Sequence, residues 1–130
     1  MGLAERRAMQ ELKEVTLPAR QKEIEEICGK EIPYEVDWES LDGNAEALRF
    51  LDNVSCHRLN MALRVICADA MGREAVAESL QKVRLVNVGT PQEMGIAFEN
   101  GTLEMRCAYA MGALGMHSDG AIRQVLEKGL

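Results

Sequence analysis

A chain of 130 residues with 21 acidic and 15 basic side chains, formal net charge -6, is long enough for one domain with its own apolar core. It carries the wrong sign for a nucleic-acid groove or an anionic membrane surface. The N-terminus turns charged at Glu5, leaving no apolar signal core, and no later run approaches the roughly 20 apolar residues of a spanning helix. A cytoplasmic location is expected, with no nucleic-acid or membrane partner.

Residues 1–28 read as a helical arm. Leu3, Ala8, Leu12 and Val15 form a thin apolar stripe among charged residues until Thr16-Leu17-Pro18 interrupts it. Proline is tolerated in a helix's first turn but costs about 3 kcal/mol in its interior. A second helix from Leu17, with Thr16 as N-cap, therefore runs through Ile24 and Ile27 to a stop at Gly29; alternatively the chain kinks at Pro18 and the two pieces stay roughly coaxial. So sparse a stripe suits either a solvated helix on its own domain or a contact with a second subunit, which predicts a homodimer.

The central section spans 32–81. Ile32, Tyr34, Val36 and Trp38 alternate onto one face, giving a short strand that Pro33 confines to an edge or a beginning. Asp42-Gly43-Asn44 turns the chain, and Asp42 or Asn44 can cap the next helix. From Asn44 to Met71, apolar residues that include Leu48, Leu51, Val54, Leu59, Met61, Leu63, Val65 and Ile66 cover far more than half of a helix's circumference, whereas a surface helix needs only a stripe. This stretch is predicted to be one long buried central helix, ended by Met71-Gly72. Glu74 to Gln81 form a further short helix with Val76 and Leu80 in register.

Residues 82–130 change from a period of 3.6 to a period of 2. Lys82 to Val88 reads as a strand bounded by Gly89-Thr90-Pro91. Asn100-Gly101 sits between two alternating runs and supplies the positive φ values of a type I′ hairpin. A two-residue loop pairs Phe98 with Leu103, Ile96 with Met105 and Met94 with Cys107 on an apolar face, leaving Gly95, Ala97 and Glu99 opposite Arg106, Glu104 and Thr102 on a polar one. A glycine-rich loop leads to His117, and Ser118-Asp119 opens a last helix carrying Ile122, Val125 and Leu126. The expected fold class is α+β in a single domain over 1–130. Its N-terminal helices and central helix pack on one face of a small antiparallel sheet that contains the C-terminal hairpin, and a C-terminal helix completes it.

Candidate chemistry is sparse. Arg58 lies in the middle of the central helix's apolar arc. A buried guanidinium needs a carboxylate or carbonyls around it, so Arg58 pairs with backbone carbonyls or an acid such as Asp52, Asp37 or Glu35, snorkels to the surface, or faces an anionic small molecule. His117 and Ser118 stand where glycines meet a helix start. Such a place can bind an anion, with His117 as acid or base, or can simply be a capped helix. Cys28, Cys56, Cys67 and Cys107 show no metal-ligand spacing and read as buried free thiols. Cys56-His57 cannot act as nucleophile and base, because adjacent helical residues diverge by about 100°. Cys107 could meet His117 only through the intervening loop. No phosphate loop, dinucleotide fingerprint or hydrolase motif is present, and neither a cofactor nor a metal is expected. Three readings are open: a non-enzymatic interaction domain that homodimerises through the N-terminal arm or the outer hairpin edge, a small anionic ligand-binding module built on Arg58, His117 and Ser118, or a small enzyme using His117, Cys107 or both.

Overall fold

From Leu3 to Cys28 the chain is helical without a break in the computed structural model, which describes residues 2–51 and 56–130. Helix α1 (Leu3–Glu11) passes through a π-helical segment (Leu12–Thr16) into α2 (Leu17–Cys28). Thr16 does not restart the helix: it keeps αR dihedrals and makes no side-chain cap bond. The wider turn explains why. The Leu17 N–H reaches back to the Leu12 carbonyl, so the backbone is already re-registered when it meets Pro18, whose missing donor and bulky ring then fall in the first turn of α2. The Gly29 N–H closes α2 on the Glu25 carbonyl at 2.8 Å.

The arm belongs to its own domain's core. Leu12, Leu17 and Ile24 are buried, α1 packs on helix α3 (Ala45–Phe50), and α2 packs on helix α4 (His57–Ile66). The Lys13 ammonium lies 4.8 Å from the centre of the Trp38 ring, and Gln21 Oε1 accepts the Tyr34 N–H at 2.7 Å. Among the arm's described residues, the large apolar side chains that point to solvent are Leu3 and Val15.

Strand β1 (Tyr34–Val36) gives way to a 3-10 turn over Trp38–Leu41 that starts at Asp37, whose carboxylate accepts the Ser40 N–H. Asn44 caps α3 by accepting the Ala47 N–H at 3.0 Å. The continuity expected of a helix over 44–71 involves residues 52–55, so Val54 and Asp52 lie outside the described residues. Beyond them the expectation needs correcting, because α4 ends at Ile66. Asp69 lies beyond it: with extended dihedrals it caps a separate helix, α5 (Ala70–Ser79), and accepts the Gly72 N–H at 2.7 Å. Gly72 is accordingly no helix stop. It sits in the first turn of α5, where a Cβ would overlap the Ile66 carbonyl, so glycine lets α5 fold back tightly over the end of α4. The Lys30 ammonium donates to the Ala77 and Leu80 carbonyls at 2.8 and 3.1 Å, closing the other end of α5.

The sheet joins β1 to β2 (Lys82–Asn87), β4 (Thr102–Cys107) and β3 (Gly95–Glu99) in the order β1-β2-β4-β3. It is mixed rather than antiparallel. β1 runs parallel to β2 and β2 parallel to β4, while only β3 and β4 are antiparallel. Alternation along a strand fixes which residues share a face but not which neighbour the strand takes. Helices α3, α4 and α5 supply the long crossover that a parallel β1–β2 pair needs. The segment after Asn87, with its turn at Pro91–Glu93, then carries the chain past β4 to the outer position of β3. The hairpin has the expected register, Phe98 opposite Leu103 and Ile96 opposite Met105, with Asn100 and Gly101 at φ 53° and 80°. The ladder stops at Gly95–Arg106, one pair short of Met94–Cys107.

Val83, Leu85, Leu103, Met105 and Cys107 form the buried face of the sheet. The final helix α6 (Asp119–Gly129) buries Ile122 and Leu126 and packs on α4 and β3. The outer face is a ladder of opposite charges. Glu35 meets Lys82 at 2.7 Å and Arg84 at 2.9 Å, and Glu104 meets Arg106 at 2.6 Å. The hydrogen bond and charge of Lys82, with Arg84 beside it, hold the Glu35 carboxyl below the ordinary carboxylate range. A depressed folded-state pKa stabilises the fold above the unfolded value and loses that contribution as pH falls through the folded one. Denaturant midpoints measured from pH 6 down to about 3, across the ordinary glutamate value near 4.3, should therefore fall less steeply for Glu35→Gln than for the parent. Added salt should shrink the difference.

Candidate functional site

Arg58 and His117 do come together, through a backbone atom. Arg58 leaves α4 half-buried, and its Nη1 donates to the His117 carbonyl at 3.3 Å and to the Ala113 carbonyl at 3.5 Å. Both acceptors belong to the glycine-rich loop, whose Tyr109–Gly115 part is wound into 3-10 turns around a non-helical Gly112. The His117 ring Nε2 lies 2.8 Å from the Gly95 carbonyl and 3.0 Å from the Arg106 carbonyl. With acceptors on both contacts, Nε2 must carry the proton. That nitrogen is committed to fastening the loop to the last pair of the β3–β4 ladder. Ser118 accepts the Ala121 N–H at 3.1 Å and is the N-cap of α6. The three residues thus share one neighbourhood, and each makes an internal bond there. Arg58→Met should cost about 1–2 kcal/mol, the worth of charge-assisted bonds to carbonyls. Faster amide exchange confined to 109–117 should accompany the lower Tm.

The carboxyl ends of the parallel strands, where open sheets of parallel strands bind ligands, are closed by the chain itself. Asn87 at the end of β2 donates Nδ2 to the Ser40 carbonyl at 2.9 Å and receives the Tyr109 N–H on Oδ1 at 3.3 Å. Its own N–H goes to Ser40 Oγ at 3.0 Å. Tyr109 is fully buried just beyond. Cys107 is buried on the covered face of the sheet, a position that no substrate reaches while the helices stay packed. The polar residues that carry this edge, Ser40 and Asn87, have no signature in the sequence, since a serine and an asparagine 47 positions apart look like ordinary turn residues.

A second buried polar contact joins the arm to α4. Asn60 is completely buried and donates Nδ2 to Glu23 Oε2 at 2.7 Å, while its Oδ1 has no partner among the described residues. Burial acts to raise the Glu23 pKa, but the Asn60 bond and the Arg20 guanidinium, 3.2 Å away, outweigh it and leave the carboxyl lowered.

The opposite side of α4 differs. Leu59, Ala62, Leu63 and Ile66 are buried, yet Met61 and Val65, from the same apolar arc, stand 40% and 52% exposed. One turn separates them, so they form a row. The row continues into a groove of about 320 Å³ lined by Val65, Ile66, Met71, Gly72, Ala75 and Leu130. Met71 projects beside it at 80% exposure. At the other end, Arg58 leads to the loop that presents Leu114, 86% exposed, and Met111. This corrects the expectation of a helix buried around its whole apolar arc: α2 and α6 cover only part of that arc, and Met61 and Val65 fall outside the cover. Grooves on the outer face of the hairpin, beside α5 and along the arm are lined by residues other than Arg58, His117 and Ser118. Among the described residues no cluster of three or more His, Cys, Asp or Glu side chains could hold a metal. No protein family, curated protein or solved structure matches the chain.

Proposed function

We propose that this protein is a non-enzymatic interaction domain that forms a homodimer through the face carrying Met61, Val65 and Met71. The observation that carries the reading is this row of large apolar side chains, turned outward on a helix whose other side is core. Left wet, such a surface is costly, and its burial repays about 25 cal/mol per Å². A second copy is the occupant proposed, because it would bring both an apolar side chain and a groove to the contact. A projecting Met71 stands next to a groove floored by Gly72 and Ala75, so a two-fold axis can seat each Met71 in the other groove. Two acidic side chains, Asp69 and Glu127, also line the groove. A cytoplasmic setting accords with four free thiols, and no helix among the described residues is long and apolar enough to cross a membrane. The anionic-ligand and enzyme readings draw less support, because Arg58, His117 and Ser118 are engaged with backbone groups of their own chain.

Sedimentation velocity from about 1 to 100 μM, the range in which weak dimers become populated, should show a dimer for the parent chain. Val65→Glu combined with Met71→Glu should weaken it by at least tenfold or so with an unchanged circular dichroism spectrum. A parent chain that stays monomeric throughout overturns the reading, and so does a dimer indifferent to both substitutions.

A further inference from the structure

Cys28 and Cys67 are far apart in sequence but touch in the fold. Cys28 is the last residue of α2 and Cys67 the first beyond α4, and their Sγ atoms lie 3.1 Å apart within the core. A disulfide needs about 2.05 Å between sulfurs, so a closure of about 1 Å, within the reach of small side-chain and backbone adjustments, would form one. Both positions are helix ends, succeeded by Gly29 and by Ala68-Asp69 respectively. Terminal turns open locally far more readily than helix interiors, and that opening gives the two thiols brief access to solvent.

We propose that Cys28 and Cys67 are a reversible thiol–disulfide pair, oxidised by a low-molecular-weight disulfide such as oxidised glutathione, that clamps the C-terminal end of α2 to that of α4. Burial raises the pKa of Cys67; its contact with the Cys28 thiol and the Arg73 charge act the other way, and the nearby Asp69 charge adds to the rise. Cys28 is raised by burial and by the Cys67 contact, with nothing acting against either. The Cys67 thiolate attacks one sulfur of the small disulfide, forming a mixed disulfide and expelling one small thiolate. Cys28, deprotonated in turn, attacks Cys67 Sγ and expels the second. Two protein thiols are oxidised to one protein disulfide, one small disulfide is reduced to two small thiols, and the protons lost by the cysteines end on those thiols.

The test is to unfold the full chain and refold it in a buffer of reduced and oxidised glutathione, so that equilibrium rather than access decides the outcome. Remaining thiols are then alkylated, and tryptic peptides are mapped. The expected product is a cross-link between the peptide 23–30, which carries Cys28, and the peptide 65–73, which carries Cys67, with Cys56 and Cys107 alkylated. The oxidised protein should melt about 10 °C higher, as a bond closing a loop of this length implies, and return to the reduced Tm when excess reduced glutathione replaces the small disulfide. Cys28→Ser should trap Cys67 as a mixed disulfide with glutathione or leave it free, and should abolish the rise in Tm. The proposal is overturned if all four cysteines are alkylated at the redox poise of a glutathione buffer, if the cross-link involves Cys56 or Cys107, or if Cys28→Ser leaves the rise in Tm intact.

Discussion

Replacing Ile24 by alanine is expected to lower the unfolding free energy by about 2–5 kcal/mol, the range for emptying a fully buried aliphatic site. Ile24 is 0% exposed although it belongs to the thinly apolar arm. It sits one residue from Glu23, whose bond to the buried Asn60 keeps α2 in register with α4. Neither the cavity nor the polar contact beside it can relax without parting those helices. Guanidinium unfolding should show a lower midpoint at unchanged slope, whereas Val15→Ala, at an exposed position of the same arm, should stay within about 0.5 kcal/mol of the parent. Equal effects of the two substitutions would mean that the arm is not part of the core.

Gly72→Ala is expected to cost at least 1–3 kcal/mol or so, as overpacking does where the obstacle is backbone. Helix propensity alone would favour the alanine by about 1 kcal/mol, so the sign of the effect separates the two explanations. The added methyl would meet the Ile66 carbonyl and approach the Asp69 carboxylate that caps α5. Relief requires α5 to move away from the end of α4, which also disturbs the groove beside Val65 and Met71. A lower Tm together with weaker self-association is the expected pair of results. A rise in Tm would show that α5 does not approach α4 this closely.

Much of the fold could be read from residue patterns because its strongest signals are local. The register of the β3–β4 hairpin comes from Asn100-Gly101 and from alternation on either side, and the cap at Ser118 from its place before Asp119 and Ile122. Signals that depend on neighbours distant in sequence were not readable. Val83 and Leu103 are apolar whichever way their strands run, so parallel pairing left no trace in the pattern. Asp69 looks like a continuation of the preceding helix and Gly72 like its stop, yet one caps the next helix and the other fits into its first turn. Thr16 and Pro18 carry the standard marks of a helix start, which a π turn made unnecessary. At the candidate site, the chemistry of Arg58 predicted its need for carbonyls or acids, and carbonyls are what it meets. That those carbonyls are at Ala113 and His117 depended on a loop whose path no periodicity encodes.

The strand order β1-β2-β4-β3 also divides the chain by the time at which its parts can assemble. β2, β3 and β4 are contiguous in sequence, with Lys82 pairing Thr102 and Glu99 pairing Thr102. They can meet by closing short loops, whose entropic cost is small. β1 joins only when Tyr34 reaches Val83 across all of α3, α4 and α5, and the arm must then settle on helices already in place. Loop-closure cost therefore favours early pairing over Lys82 to Cys107, and folding φ-values are expected to be higher there than in residues 3–28. On that expectation the N-terminal third assembles late, and a clamp between Cys28 and Cys67 would act on that step.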